Sequence, residues 1–171
     1  MGEKKTLFNG KIIKVITERK VLPNGVTVDL EVVEHRGAAL LVPFIAKDKV
    51  ILLKQFRPVI NSYIYELPAG TLETGETPLV CARREIKEET GYQAAKLVKI
   101  GIIYPVPGYS TEKIHIFRAE GLKKMVTRLA ADEDEIIYPV IFTHKQVRDF
   151  FNRGAIVDAK TICAFAMCDW L

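Results

Sequence analysis

Glu85, Glu88 and Glu89 stand at i, i+3 and i+4 in a segment that reads as a helix from Pro78 to Thr90. That spacing projects all three carboxylates to nearly one face. Three like charges on one turn repel, and a fold gains nothing from that arrangement alone. A divalent cation resolves the repulsion, because hard cations such as Mg²⁺ take oxygen ligands and are held by one or two carboxylates plus substrate phosphates. By composition alone, a solvated acidic helix face accounts for the three glutamates as well as a metal site does.

The elements that must position this turn are legible around it. Thr77 reads as the N-cap, Pro78 as the first helical position and Gly91 as the C-terminal stop. Leu79, Ala82 or Arg83, and Ile86 are expected to face the core. Lys11 to Thr17 and Val26 to Val33 alternate around Pro23-Asn24-Gly25 and predict an N-terminal hairpin. A two-stranded hairpin is marginal alone, so it must pack on its own main domain or on a partner subunit. Ala38 to Ile45 and Val50 to Phe56 read as core strands around Lys47-Asp48-Lys49. Further strands are expected at Lys96 to Ile103, Lys113 to Ala119 and Ile136 to Phe142. A second helix is expected from His144 to Arg153 and a third from Ala159 to Trp170, capped by Asp158, with Ile162, Phe165, Ala166 and Asp169 or Trp170 on its core face. The order argues an α+β or αβα layered domain with a mixed sheet.

Composition bounds the function classes. The chain has 171 residues, 49% hydrophobic and 27% charged, which is one globular domain's worth and rules out a disordered chain. No apolar run approaches the roughly 18 residues of a membrane-spanning helix, and no secretory signal is visible. A net charge of +4, spread along the chain, gives no basic stripe for nucleic acid. Cys81, Cys163 and Cys168 make no CxxC pair and read as buried thiols of a reduced, cytoplasmic protein. His35, His115 and His144 form no HxxxH pair, so a His-based zinc site is not expected.

The wider spacing decides between the two readings of the glutamates. Gly70, Glu76, Arg84, Glu85, Ile86, Glu88, Glu89 and Gly91 fill the pattern G-x5-E-x7-R-E-U-x-E-E-x-G-U, with U bulky and apolar. The last position holds Tyr92, a mild departure from an aliphatic residue. A chance match of the fixed positions is on the order of 10⁻¹⁰ per start position. This stretch resembles the Nudix box, and the chain therefore resembles the Nudix hydrolases, which cleave nucleoside diphosphates linked to another moiety using Mg²⁺ or Mn²⁺. The resemblance implies an αβα sandwich with the box as loop-helix-loop. It implies Glu85 and Glu89 as principal metal ligands, with Glu88 a further ligand or a water-orienting carboxylate. The carbonyl of Ala69 would be an additional ligand, and Arg84 would pair with Glu76 or Glu88. The ions would bridge the pyrophosphate and activate a water for attack on phosphorus.

Flanking residues narrow the resemblance. Tyr65-Glu66-Leu67-Pro68-Ala69-Gly70 is similar to the E-L-P-A-G run of ADP-ribose and nucleoside-diphosphate-sugar pyrophosphatases, and Gln55-Phe56-Arg57 to their Q-[YF]-R segment. Pro107-Gly108-Tyr109-Ser110-Thr111-Glu112 resembles their P-G-[FY]-S-x-E loop. The likeness implies Arg57 at a phosphate or the bridging region, Glu66 on a polar substrate group or metal-bound water, and Glu112 near the terminal ribose. Gly108 falls in the same substrate loop, and Arg36 would reach the adenine or a phosphate. The acidic run Asp132-Glu133-Asp134-Glu135 falls where the subfamily carries a mobile loop with a catalytic glutamate acting as general base, so Glu133 and Glu135 are both candidates.

The expectations are therefore these. The fold is α+β, a Nudix-like αβα sandwich with a mixed sheet and an N-terminal antiparallel hairpin. Residues 1–36 form the hairpin region, a dimerisation element, and 37–171 the Nudix domain. The resemblance implies a cytoplasmic, homodimeric, Mg²⁺-dependent enzyme, with Mn²⁺ a possible substitute, hydrolysing ADP-ribose to AMP and ribose 5-phosphate. Residues of both subunits would sandwich the adenine, with Phe8 an aromatic at hand. GDP-mannose or ADP-glucose is the alternative substrate, and a nucleotide sensor without turnover is the reading from another class. No nucleic-acid or membrane partner is expected.

Overall fold

The computed structural model describes residues 4–126 and 136–171. The centre of the molecule is built by two apolar runs, β4 (Ala38–Ala46) and β5 (Lys49–Arg57), joined at the expected turn. Leu40, Leu41, Val42, Val50, Leu52 and Leu53 are all completely buried. Strands this uniformly apolar need cover on both faces, and the helices supply it.

Alternate residues of β4 enter different cores, as the two-residue period requires. Ala39 and Leu41 pack with Cys81, Ala82 and Ile86 of α1 (Pro78–Thr90). Leu40 and Val42 pack with Val147 of α2 (His144–Asn152) and with Ala164 and Phe165 of α3 (Ala159–Ala166). The result is the expected αβα sandwich with α1 on one face. The sheet is mixed. β4 runs antiparallel to β5 and parallel to β9 (Ile114–Lys124), which pairs antiparallel with β8 (Tyr92–Ile103); β10 (Ile137–Thr143) flanks β5.

Two short strands were not anticipated. β6 (Ser62–Glu66) pairs with β5, and β7 (Ala69–Thr71) pairs with β4. They are five and three residues long, separated by Leu67 and Pro68, so neither carries a readable period. They nonetheless set the depth of the Glu66–Thr71 segment.

The N-terminal region holds the expected antiparallel hairpin and one strand more. β2 (Lys14–Val21) and β3 (Thr27–Glu34) pair as expected, with Gly25 at φ 84° in the turn. A further strand, β1 (Lys4–Asn9), adds to β2 and makes a three-stranded sheet. All six residues of β1 are exposed, so burial left no periodic signature there. Ile16 is the one buried side chain of the three strands.

Other expectations need smaller corrections. Leu79 and Arg83 face solvent, and Cys81 takes the core position beside Ala82 and Ile86. α3 ends at Ala166 rather than Trp170, because Asp169 turns at φ 56° and the Trp170 amide donates to the Phe165 carbonyl at 3.0 Å. Trp170 then folds back to stack on Phe165 at 5.9 Å. Ala166 is exposed, and Thr161 and Ala164 share the core face with Phe165. Cys81 is buried, whereas Cys163 is exposed and Cys168 half-buried. Among the described residues no helix is long and apolar enough to cross a membrane.

Candidate active site

The box helix is fixed at both ends by local chemistry. The Thr77 hydroxyl accepts from the Val80 amide at 3.4 Å, and Gly91 closes the helix at φ 74° with its amide on the Lys87 carbonyl. Thr90 adds a hydroxyl bond to the Ile86 carbonyl. Within this frame Glu85 and Glu89, one turn apart, face the Ala69–Gly70 backbone and are 7% and 3% exposed. The Ala69 amide donates to Glu89 Oε2 at 2.8 Å. Gly70 lies so close under Glu85 that an added Cβ would fall 1.6 Å from Oε1. Glycine is required there by space, not by backbone conformation.

Arg84 organises the carboxylates. Its Nη1 donates to Glu85 Oε1 at 2.5 Å and to Glu88 Oε2 at 3.1 Å. Its Nε and Nη2 form a fork on Glu76 at 3.1 and 3.0 Å, and Nη2 also reaches the Thr71 carbonyl at 3.3 Å. The sequence left Glu76 or Glu88 as its partner; both are, and Glu85 is a third. The Arg84 hydrogen bonds hold the Glu76 carboxyl below its ordinary range, against the opposing pull of burial. Beneath the helix, burial pushes the Cys81 thiol up to about 12, and Glu85 and Glu76 add to the shift. Cys81 is therefore a neutral packing residue.

A second polar group borders the first. Arg57 Nε and Nη2 donate to the two oxygens of Glu66 at 2.6 and 2.8 Å. Arg57 also feels the charges of Glu89 and Asp158, which sets this pair beside the box. Lys160, at the start of α3, bonds Glu66 as well, and bonds Asp158 Oδ1 at 2.8 Å. Burial alone would raise the Glu66 carboxyl; hydrogen bonds and charge from Arg57 and Lys160 outweigh it and hold it low. The sequence did not single out Lys160. Its only signal was its place two residues after the Asp158 cap, and 94 residues separate it from Glu66.

Arg36, Gly108 and Glu112 gather elsewhere, where the 104–112 loop is clipped to the end of β3. The Val33 amide donates to the Tyr109 carbonyl at 2.8 Å, and the Thr111 amide to the Val33 carbonyl at 3.0 Å. Glu112 Oε1 lies 3.8 Å from His35 Nδ1, which accepts the Gly37 amide. Arg36 and Gly108 are exposed, and nothing stands within 4 Å of a Cβ built at Gly108. This group borders the box through Gly37, whose carbonyl accepts the Leu72 amide at 3.0 Å. Glu133 and Glu135 lie outside the described residues.

The model of the NUDIX domain matches residues 34–165. The chain belongs to the NUDIX family. It is 39% identical over 161 residues to an ADP-ribose pyrophosphatase of Bacillus subtilis (strain 168), covering 94% of this chain and 87% of the relative. It is 34% identical over 158 residues to a methanol dehydrogenase activator of Bacillus methanolicus, covering 92% and 85%. In fold it is similar to an ADP compounds hydrolase crystal structure, with TM-score 0.82 and 24% identity over 98% of this chain and 90% of that one. The resemblance read from residues 70–92 thus holds over most of the chain.

As a NUDIX box, the donor set suits a hard divalent cation. Glu85, Glu88, Glu89 and the Ala69 carbonyl offer oxygen alone, and the Gly70 gap lets Glu85 lean over the loop. Among the described residues no three His, Cys, Asp or Glu side chains converge as a ready cage. Arg84 instead supplies the positive charge, touching Glu85 and Glu88 at once.

Proposed function

We propose that the protein is a Mg²⁺-dependent hydrolase of ADP-ribose, releasing AMP and ribose 5-phosphate, and that it works in the cytoplasm as a homodimer. The observation that carries this reading is the box geometry: one arginine clamps Glu76, Glu85 and Glu88 while Glu89 is fixed on the Ala69 amide. The similarity to an ADP-ribose pyrophosphatase supports the substrate.

Glu85, Glu89 and the Ala69 carbonyl would hold the metal, with Glu88 a further ligand or a water-orienting carboxylate. Bound there, Mg²⁺ would neutralise charge on the diphosphate and activate water at neutral pH. Arg84 keeps the carboxylates oriented without needing the ion. Arg57, 41% exposed in its side chain, presents a planar fork suited to a phosphate. Glu112 and Arg36 border the box at the 104–112 loop, where the terminal ribose or the base would lie. Glu133 and Glu135 are the candidates for a general base carried by the 132–135 segment.

The homodimer reading is supported by the N-terminal sheet. Leu7, Phe8, Ile12, Val21 and Val26 are all more than half exposed, and a second copy would cover them.

The test is a hydrolysis screen with Mg²⁺ and product identification, comparing ADP-ribose, ADP-glucose, GDP-mannose, NADH and diadenosine polyphosphates. Preference for ADP-ribose with AMP as product is expected. Preference for another nucleotide sugar would keep the metal site and discard the pocket roles of Arg36 and Glu112. Glu89→Gln should lower kcat by about 10² or more while the melting curve stays cooperative; unimpaired turnover at saturating Mg²⁺ would remove Glu89 from the metal site.

A further inference from the structure

We infer that Lys160 is a positioning residue, the second counter-ion of Glu66 that lets Arg57 exchange this carboxylate for the diphosphate of a substrate. The inference rests on the reading of Arg57 as a phosphate contact. Glu66 is 1% exposed and accepts both branches of the Arg57 fork. A carboxylate and a phosphate offer that fork similar pairs of oxygens, so they compete for it. If Arg57 were the sole partner, leaving Glu66 would strand a buried charge, and the fork would stay where it is.

Lys160 changes that balance. Its ammonium bonds the same Glu66 carboxylate from α3, and its side chain is 18% exposed. Asp158 holds it as well, at 2.8 Å, which favours its staying on Glu66 when Arg57 leaves. Asp158 is itself fixed as the α3 cap, accepting the Thr161 amide at 3.0 Å and the Thr161 hydroxyl at 2.6 Å. The same hydroxyl accepts the Leu67 amide at 2.8 Å, tying the cap to the residue after Glu66. Glu66 and Asp158 against Arg57 and Lys160 make a neutral foursome. When Arg57 departs, Glu66 still has a partner.

The experiment is calorimetric titration of the full chain, without divalent cation, using inorganic pyrophosphate as the group every nucleoside diphosphate derivative shares, and ADP-ribose. Kinetics of ADP-ribose hydrolysis with Mg²⁺ run alongside. Lys160→Met should weaken pyrophosphate and ADP-ribose binding and raise KM by about tenfold, with kcat changed by less than about threefold. Lys160→Arg should restore affinity. The single variant Glu66→Gln and the double variant Glu66→Gln with Lys160→Met should bind alike, since a neutral amide in place of the carboxylate needs no second cation. That comparison also serves if Lys160→Met alone folds poorly. Unchanged affinity in Lys160→Met, a tenfold loss between the single and double variants, or a wild-type chain that ignores pyrophosphate would overturn the inference. A wild-type chain that binds pyrophosphate but hydrolyses no ADP-ribose would sink the substrate reading alone, and the variants would still decide the role of Lys160.

Discussion

At Gly70 the reason for a residue is purely spatial. A methyl group there would occupy the place of a Glu85 oxygen, so one atom decides where the proposed metal ligand sits. Gly70→Ala should therefore lower kcat/KM by about 10² or more, because displacement of a catalytic group by about 1 Å has effects of that size. Circular dichroism should show the fold retained; wild-type kcat/KM would show that Glu85 can rearrange at no cost. The paired carboxylates also carry a pH signature. Glu66 and Glu76 are held below their ordinary value of 4.5, so they stabilise the fold fully above that value. The contribution is lost as pH falls through their depressed folded values. Tm should be flat from neutral pH to about 5 and fall increasingly below it. Glu66→Gln should be less stable at pH 7 but shallower in acid. Parallel Tm curves for the two proteins would contradict the assignment.

Elements, rather than single residues, bring the two polar groups together. β6 and β7 hold Glu66 and Ala69 against β5 and β4, and α1 and α3 approach that segment from opposite faces of the sheet. Besides the Lys160 contact on Glu66, a hydroxyl links the segment to α3: Thr161 accepts from Leu67 and donates to Asp158. Thr161→Val keeps the shape but strands the buried Leu67 amide, which should cost about 1–3 kcal/mol. For a chain of this size that is a fall in Tm of roughly 2–4 °C for each kcal/mol. A melting scan with no shift would mean that the Thr161 hydroxyl does not hold the two segments together. Most of these elements were legible in the sequence. Thr77, Pro78 and Gly91 mark α1 because caps are local chemistry. β6, β7 and β1 were not legible, because short or fully exposed strands leave no hydrophobic period to read.

For the molecule as a whole, the N-terminal sheet is the part that needs a cover. With Ile16 its one buried side chain, the sheet has little core of its own, and three strands gain stability only with an apolar face against something. Among the described residues an isolated bridge joins Val33 of this sheet to Ser110 in the 104–112 loop. A partner on this sheet would thus sit next to the site. Sedimentation equilibrium should give twice the chain mass. Phe8→Asp with Ile12→Asp should move it toward the monomer without unfolding the chain, because both side chains are exposed. A monomeric wild type at micromolar concentration would remove the dimer from the proposal.

The chemistry of the box is readable from residue order alone. Residue types at helical spacing fix which carboxylates share a face, and turn and cap residues fix where the helix begins and ends, since both are short-range effects. Residue order also determined the two-faced core, because β4 and β5 are too apolar to lie on a surface. What stands next to what across long stretches of chain follows from how the elements pack. That Gly70 makes room for Glu85 and that Lys160 reaches Glu66 across 94 residues are outcomes of packing. Charge pairing of that kind depends on distance in space, and distance along the chain carries no record of it.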